Sequence, residues 1–232
     1  MKGNIYDFYI LHQRKYKENS LLITVFSKEF GKLSAIVRVS KKQQNLYQPL
    51  VALSGEFSLP KISEGLSKVY NIEFVESFYD KSYIVLMSLQ YINELMYVLL
   101  SHSHDEAELF DKYDFILKNI TKDNYLYMLR MFELELLNSL GHSICIDQDI
   151  SGQDIAINKS YGVLPSMGFK VFGGAGAIKG STIKKIYEPM FLWSDEDLKN
   201  ITRIIRININ ACLNGRELKS RRLIREYLSL KG

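Results

Sequence analysis

Ser20–Val39 reads SLLITVFSKEFGKLSAIVRV, and this stretch decides the fold. Leu21, Ile23 and Val25 alternate with Leu22, Thr24 and Phe26, and Leu33, Ala35, Val37 and Val39 repeat the pattern. A period of two is the signature of strands with one face on a core. Between the two runs, Lys28-Glu29-Phe30-Gly31-Lys32 reads as a hairpin connection, with Gly31 free to take a positive φ. Working outward, Tyr6–His12, Leu50–Leu59 and Lys68–Ser77 supply three more strands. Pro49 opens the fourth, where a missing N–H is tolerated, and Gly55 marks a bulge. Five short strands in about 75 residues predict a small closed barrel, of which the OB-fold is the commonest form.

The pattern then changes. Val85, Leu89, Ile92, Met96 and Leu99 recur at spacings of four and three, the stripe of a helix. Glu106–Ile120 and Asn124–Leu140 predict two more helices, the latter closed by Gly141. Residues 142–190 read as an irregular insertion rich in glycine, including Gly173-Gly174-Ala175-Gly176. Ser194 and Asp197 form a capping box for a helix to about Leu213. Gly215 breaks it, and a final helix covers about Glu217–Leu230. The expected class is α+β: an OB-fold domain over residues 1–79, then a helical domain over 80–232.

Charge is unevenly placed. The 232 residues carry a net +4, but residues 1–79 hold +4, residues 80–140 hold −5 and residues 141–232 hold +5. From Lys199 onward, nine Lys/Arg face only Glu217 and Glu226. A field this concentrated points to a polyanion. The barrel offers Arg14, Lys15 and Lys17 in one connection, and Lys32, Arg38, Lys41 and Lys42 around another. The C-terminal part offers Arg203 and Arg206, three apart on one helix face, then Arg216, Lys219 and Arg221. Barrels of this type bind single strands by setting such cations beside stacked aromatics. Tyr6, Phe8, Tyr9, Tyr16 and Phe30 are candidate platforms, although each alone is more often core, since half of any strand's residues face inward, and the lysines are as readily a solubilising surface.

Other chemistries are poorly supported. Lys179 precedes Gly180-Ser181, the reverse of a phosphate-loop order. His102 and His104 lack a third ligand nearby, and Cys145 and Cys212 are the only cysteines, so neither a disulfide framework nor a four-cysteine zinc site is expected. Glu133 and Glu135 diverge on a helix instead of converging on a metal pair. The most apolar run, Tyr83–Leu100, contains Gln90, Asn93 and Glu94, which argues against a membrane span. Met1–Asp7 lacks an apolar signal core. No cofactor and no enzymatic activity are expected.

Further residues match a known family in order along nearly the whole chain. They are Leu11-His12, Arg14, Glu18, Ser20-Leu21, Phe26-Ser27, Glu29 and Gly31-Lys32-Leu33; Gln48-Pro49; Tyr91-Ile92-Asn93-Glu94-Leu95; Leu129-Arg130, Phe132-Glu133-Leu134, Leu137 and Leu140-Gly141; and Arg203, Arg206, Leu213, Gly215, Leu218 and Lys219-Ser220-Arg221. The chain resembles RecO, the bacterial recombination mediator. The resemblance implies an OB-fold followed by helices, in a cytoplasmic, nucleoid-associated protein. It implies binding of single- and double-stranded DNA, annealing of complementary strands, and work with RecR to help RecA load onto DNA coated by single-strand binding protein (SSB). It also implies a pocket for the SSB C-terminal tail in the helical domain, with Arg130 at the matching arginine. Some members carry a four-cysteine zinc module where this chain keeps only Cys145, and residues 142–190 match poorly. An OB-fold RNA-binding accessory protein is the alternative.

Overall fold

Alternation becomes a barrel because each strand can bury only one face. A computed structural model describes residues 4–40, 46–60, 65–101 and 106–229. Strands β1 (Ile5–Lys17), β2 (Ser20–Ser27), β3 (Gly31–Arg38), β4 (Val51–Ser58) and β5 (Ser67–Ser77) close in the order β1-β2-β3-β5-β4. All pairs are antiparallel except β3 with β5. This is the OB-type barrel expected from the alternation. Phe8, Ile10, Ile23, Val25, Leu33, Ala35, Val37, Val51, Leu53 and Val69 fill it. A truncation such as Ile23→Ala would cost about 2–5 kcal/mol. Gly31 sits at φ 59° in the β2–β3 turn, where a side chain would be strained. The β4–β5 register slips between Ser54 and Glu56, but the extra residue lies on β5 between Glu73 and Tyr70, where Asn71 takes φ 51°, so the bulge is opposite Gly55 and not at it.

Helices α1 (Tyr83–Leu99), α2 (Ala107–Asn119) and α3 (Tyr125–Ser139) follow. The end of α3 is a Schellman motif: Gly141 at φ 75° donates its N–H to the Asn138 carbonyl and His142 donates to that of Leu137. The segment expected to be irregular instead contains a three-stranded sheet, β7-β6-β8, built from β6 (Ser160–Leu164), β7 (Gly168–Val171) and β8 (Ile178–Lys179). Its strands have only five, four and two residues, too few to show a period of two. A short helix α4 (Gly180–Lys184) leads to α5 (Asp195–Leu213), whose Ser194/Asp197 capping box is formed as the sequence predicts. Asn214 closes α5 in the left-handed region, followed by Gly215 at φ 80°, and α6 (Lys219–Ser229) ends the described chain.

The chain forms two compact units: residues 1–128 with 218–232, and residues 129–217. The final helix therefore returns to the barrel's unit. Among the described residues, no helix is long and apolar enough to cross a membrane.

In the barrel's unit, α1 and α2 cover part of the barrel's outer surface. Tyr9, Phe26, Phe110 and Tyr113 form a ring cluster, and the Tyr9 hydroxyl donates to Asp114 at 2.6 Å. Burial, reinforced by the Asp114 carboxylate, pushes the Tyr9 phenol far above its ordinary value, so it stays a donor. Lys28 adds an exposed ion pair to Asp111 at 2.7 Å.

Candidate nucleic-acid interface

Strand register sorts the barrel's outward side chains into rows, because directly paired residues point to the same side. One row runs Tyr9, Phe26, Lys32 across β1, β2 and β3. The next runs His12, Thr24, Ser34. The third is Arg14, Leu22, Ile36, Lys68 and reaches β5. The fourth is Lys17, Ser20, Arg38. The interleaved Ile23, Ala35 and Val37 are buried, as outward-facing rows on either side require.

The helices cover the first row and leave the last two open. Arg14, Lys17, Arg38 and Lys68 are all exposed, with half-buried Leu22 and Ile36 between them. At about 4.8 Å between strands, Arg14 to Lys68 spans roughly 14 Å. Lys15 is exposed as well. Lys17 lies 5.5 Å from the ring of Tyr16, which is 45% exposed. Nothing local in the sequence singles out Lys68, because only the parallel β3–β5 register sets it in the row of Arg14.

Lys32 is a correction to the expected set. It lies in the covered row, 5% exposed, and its ammonium donates to the carbonyls of Tyr97 at 2.6 Å and Leu100 at 2.8 Å. It closes the negative end of α1 and does not face solvent. Phe8 and Tyr9 are buried, and Tyr6 packs edge-on against Phe30 and Phe57. Of the five aromatic candidates, Tyr16 is the exposed one. Lys41 and Lys42 lie outside the described residues, as do His102 and His104.

Helix α6 is held against the barrel's unit through α1, where three signature residues each do a different job. Glu94 caps α6, accepting the backbone N–H of Lys219 at 2.9 Å and of Ser220 at 2.8 Å. Tyr91 carries Arg221, whose guanidinium donates to its hydroxyl at 3.1 Å and lies 5.4 Å from its ring centre. Asn93 donates to the Leu11 carbonyl at 2.7 Å, at the β1 bulge between Ile10 and His12. With Ser220 and Arg221 turned inward, α6 exposes Lys219, Arg222 and Arg225. Arg222 makes a loose surface pair with Glu226 at 3.7 Å, worth about 0–1 kcal/mol. Lys219 is near enough to the barrel to act on His12: burial first, then the charges of Arg14 and Lys219, lower the imidazole pKa.

In the second unit, Arg206 is exposed but Arg203 is half-buried and donates to the Gly176 carbonyl of the glycine-rich loop. Arg216 is exposed, and its Nε donates to the Leu213 carbonyl at 3.2 Å, closing α5. Arg130 is 3% exposed on α3, 2.9 Å from the carboxylate of fully buried Glu133. Asp197 accepts from Thr182, Lys185 and Ser194. Burial would raise its carboxyl, but those bonds, led by Lys185, hold it well below the usual carboxylate range. Cys145 is exposed, and among the described residues no group of three His, Cys, Asp or Glu is placed to hold a metal ion.

The barrel and the segment that follows it match a family. Residues 1–78 match the model described as Recombination protein O N terminal, and residues 81–184 match Recombination protein O C terminal. The chain belongs to the RecO family. A RecO of Francisella tularensis subsp. novicida, named DNA repair protein RecO, is 59% identical over 228 residues, 98% of each chain. The Francisella philomiragia protein of the same name is 56% identical over 97% of each chain. More distantly, that of Stutzerimonas stutzeri is 30% identical over 96% of this chain and 93% of its own.

Proposed function

We propose that this RecO-family chain acts in DNA repair as a DNA-binding recombination mediator. It binds single- and double-stranded DNA, anneals complementary strands and, with RecR, helps RecA load onto SSB-coated DNA. The observation that carries this reading is the open pair of rows on the barrel, Arg14, Lys17, Arg38 and Lys68, in the same unit as the cations of α6. Lys15 and Lys219 belong to that phosphate-binding set, and Lys41 and Lys42 are proposed for it from sequence alone; Arg206 and Arg216 are proposed as separate phosphate contacts of the second unit, while Arg221 and Arg203 are held by Tyr91 and by the Gly176 carbonyl. Annealing follows from the same charges, because neutralised phosphates let two strands approach. Base-specific readout is not part of the proposal, since rows of cations position a backbone without reading an edge.

Arg130 is proposed to serve the SSB-tail site. Its Nη1 is buried with no hydrogen-bond acceptor among the described residues, which leaves a donor for a tail carboxylate. Its burial means that a tail must reach below the surface to meet it.

A strand-annealing assay with and without SSB tests activity and partner together. The expected result is faster annealing of naked strands and retained annealing of SSB-coated ones. Failure to bind oligonucleotides even in dilute buffer overturns the reading.

A further inference from the structure

The His12 row lies on the border between the covered and open parts of the barrel. His12 is exposed on β1 and stacks on Tyr97 of α1, with ring centres 4.6 Å apart and planes 19° from parallel. Tyr97 also lies 5.4 Å from the Lys32 ammonium, which donates to the Tyr97 carbonyl. The tyrosine ring is therefore fixed by its own helix end and is only 37% exposed. The Asn93 bond to the Leu11 carbonyl fixes the bulge immediately before His12, so the imidazole is positioned from its backbone as well as its ring. Tyr97 covers one face of the imidazole, and the exposure of His12 lies on the remainder. Arg14 follows two residues on, in the next outward row, and Lys219 stands nearby on α6.

A flat ring with one face backed, and cations to either side, has the chemistry of a base-stacking site on a single strand. We infer that the outer face of His12 receives an unstacked nucleobase, extending the Tyr97–His12 stack, while Arg14 and Lys219 hold the flanking phosphates. The inference rests on the DNA-binding reading above and adds to it a residue that recognises the base and not the backbone. Burial, and then the charges of Arg14 and Lys219, lower the imidazole pKa, which favours the neutral ring that stacks. Double-stranded DNA, whose bases remain stacked on each other, cannot use the site. His12 thereby gives a surface of otherwise strand-indifferent cations a preference for single strands.

The test measures binding of a fluorescent oligothymidine and of an abasic oligomer of equal length to the wild type, His12→Ala and His12→Phe. His12→Ala is expected to weaken oligothymidine binding about fivefold or more. It should leave abasic binding and the salt slope unchanged, and His12→Phe should restore the affinity for oligothymidine. Equal weakening on both oligomers, no weakening on either, or no rescue by phenylalanine overturns the stacking site while leaving the phosphate path standing. A wild type that binds neither oligomer overturns the DNA-binding reading, and the stacking site with it.

Discussion

Glu94 accepts both the backbone N–H of Ser220, at 2.8 Å, and its hydroxyl, at 2.5 Å, across 126 positions of sequence. This one carboxylate caps the N-terminus of α6 from a distant part of the chain and sets negative charge where the helix dipole favours it. It returns the last helix of the chain to the barrel's unit.

Replacing Glu94 by alanine is expected to cost about 1–2 kcal/mol, the usual cost of removing a cap. It should also loosen α6 specifically. Hydrogen exchange should rise at Lys219–Arg222 while the barrel amides keep their protection. A uniform drop in protection through β1–β5 would mean that Glu94 does more than cap.

Lys32→Met should separate structure from binding. The two carbonyls at the end of α1 would be left without a charged donor worth about 1.5–3 kcal/mol. Urea unfolding should report that destabilisation, and the salt dependence of DNA binding should not change. A flattened salt slope with unchanged stability would return Lys32 to the phosphate path.

Arg203 and Arg206 share a helix face but are expected to behave differently. Arg206→Gln should lower the salt slope on single strands by about 0.7. Arg203→Gln should chiefly release the loop at Gly176, seen as faster exchange at Gly174–Ala177. Equal effects of the two on the slope would place both guanidinium groups on phosphate.

Asp197 predicts an acid-sensitive helix start. Its carboxyl pKa is lowered in the folded chain relative to an unfolded value near about 4. Its stabilisation is therefore complete above that value and disappears as pH falls through the lower folded one. At pH 7, Asp197→Asn should cost about 1–3 kcal/mol. The gap between wild type and variant should narrow steadily below about pH 4, where the unfolded carboxyl begins to hold its proton. A gap that stays constant down to about pH 2 would show that the charge contributes nothing.

The barrel was legible in sequence because Leu21–Phe26 and Leu33–Val39 carry a clean period of two, and Gly31 carries the turn between them. The Ser194/Asp197 box was equally legible, since capping is local chemistry. The site was only half legible. Arg14, Lys17, Lys32 and Arg38 all point outward, but no local signal says that α1 and α2 settle over the Lys32 row and stop short of the Arg14 row. Lys68 joins the open rows through a parallel strand pair that closes over a distance in sequence. His12 gave no sign of its surroundings, because its partner Tyr97 belongs to a helix whose stripe reads as core. The small sheet at β6–β8 was missed because strands of two to five residues leave no periodicity to detect.

The central claim is that the two open rows of the barrel grip a nucleic-acid backbone. Single-strand affinity measured across a salt series, for the wild type and for the combined Arg14→Gln, Lys17→Gln, Arg38→Gln and Lys68→Gln variant with its folding checked by thermal unfolding, tests it most directly. The account predicts a slope of log affinity against log salt that is shallower by about 0.7 for each phosphate no longer neutralised, or about three in all. A folded variant whose slope matches the wild type would contradict it.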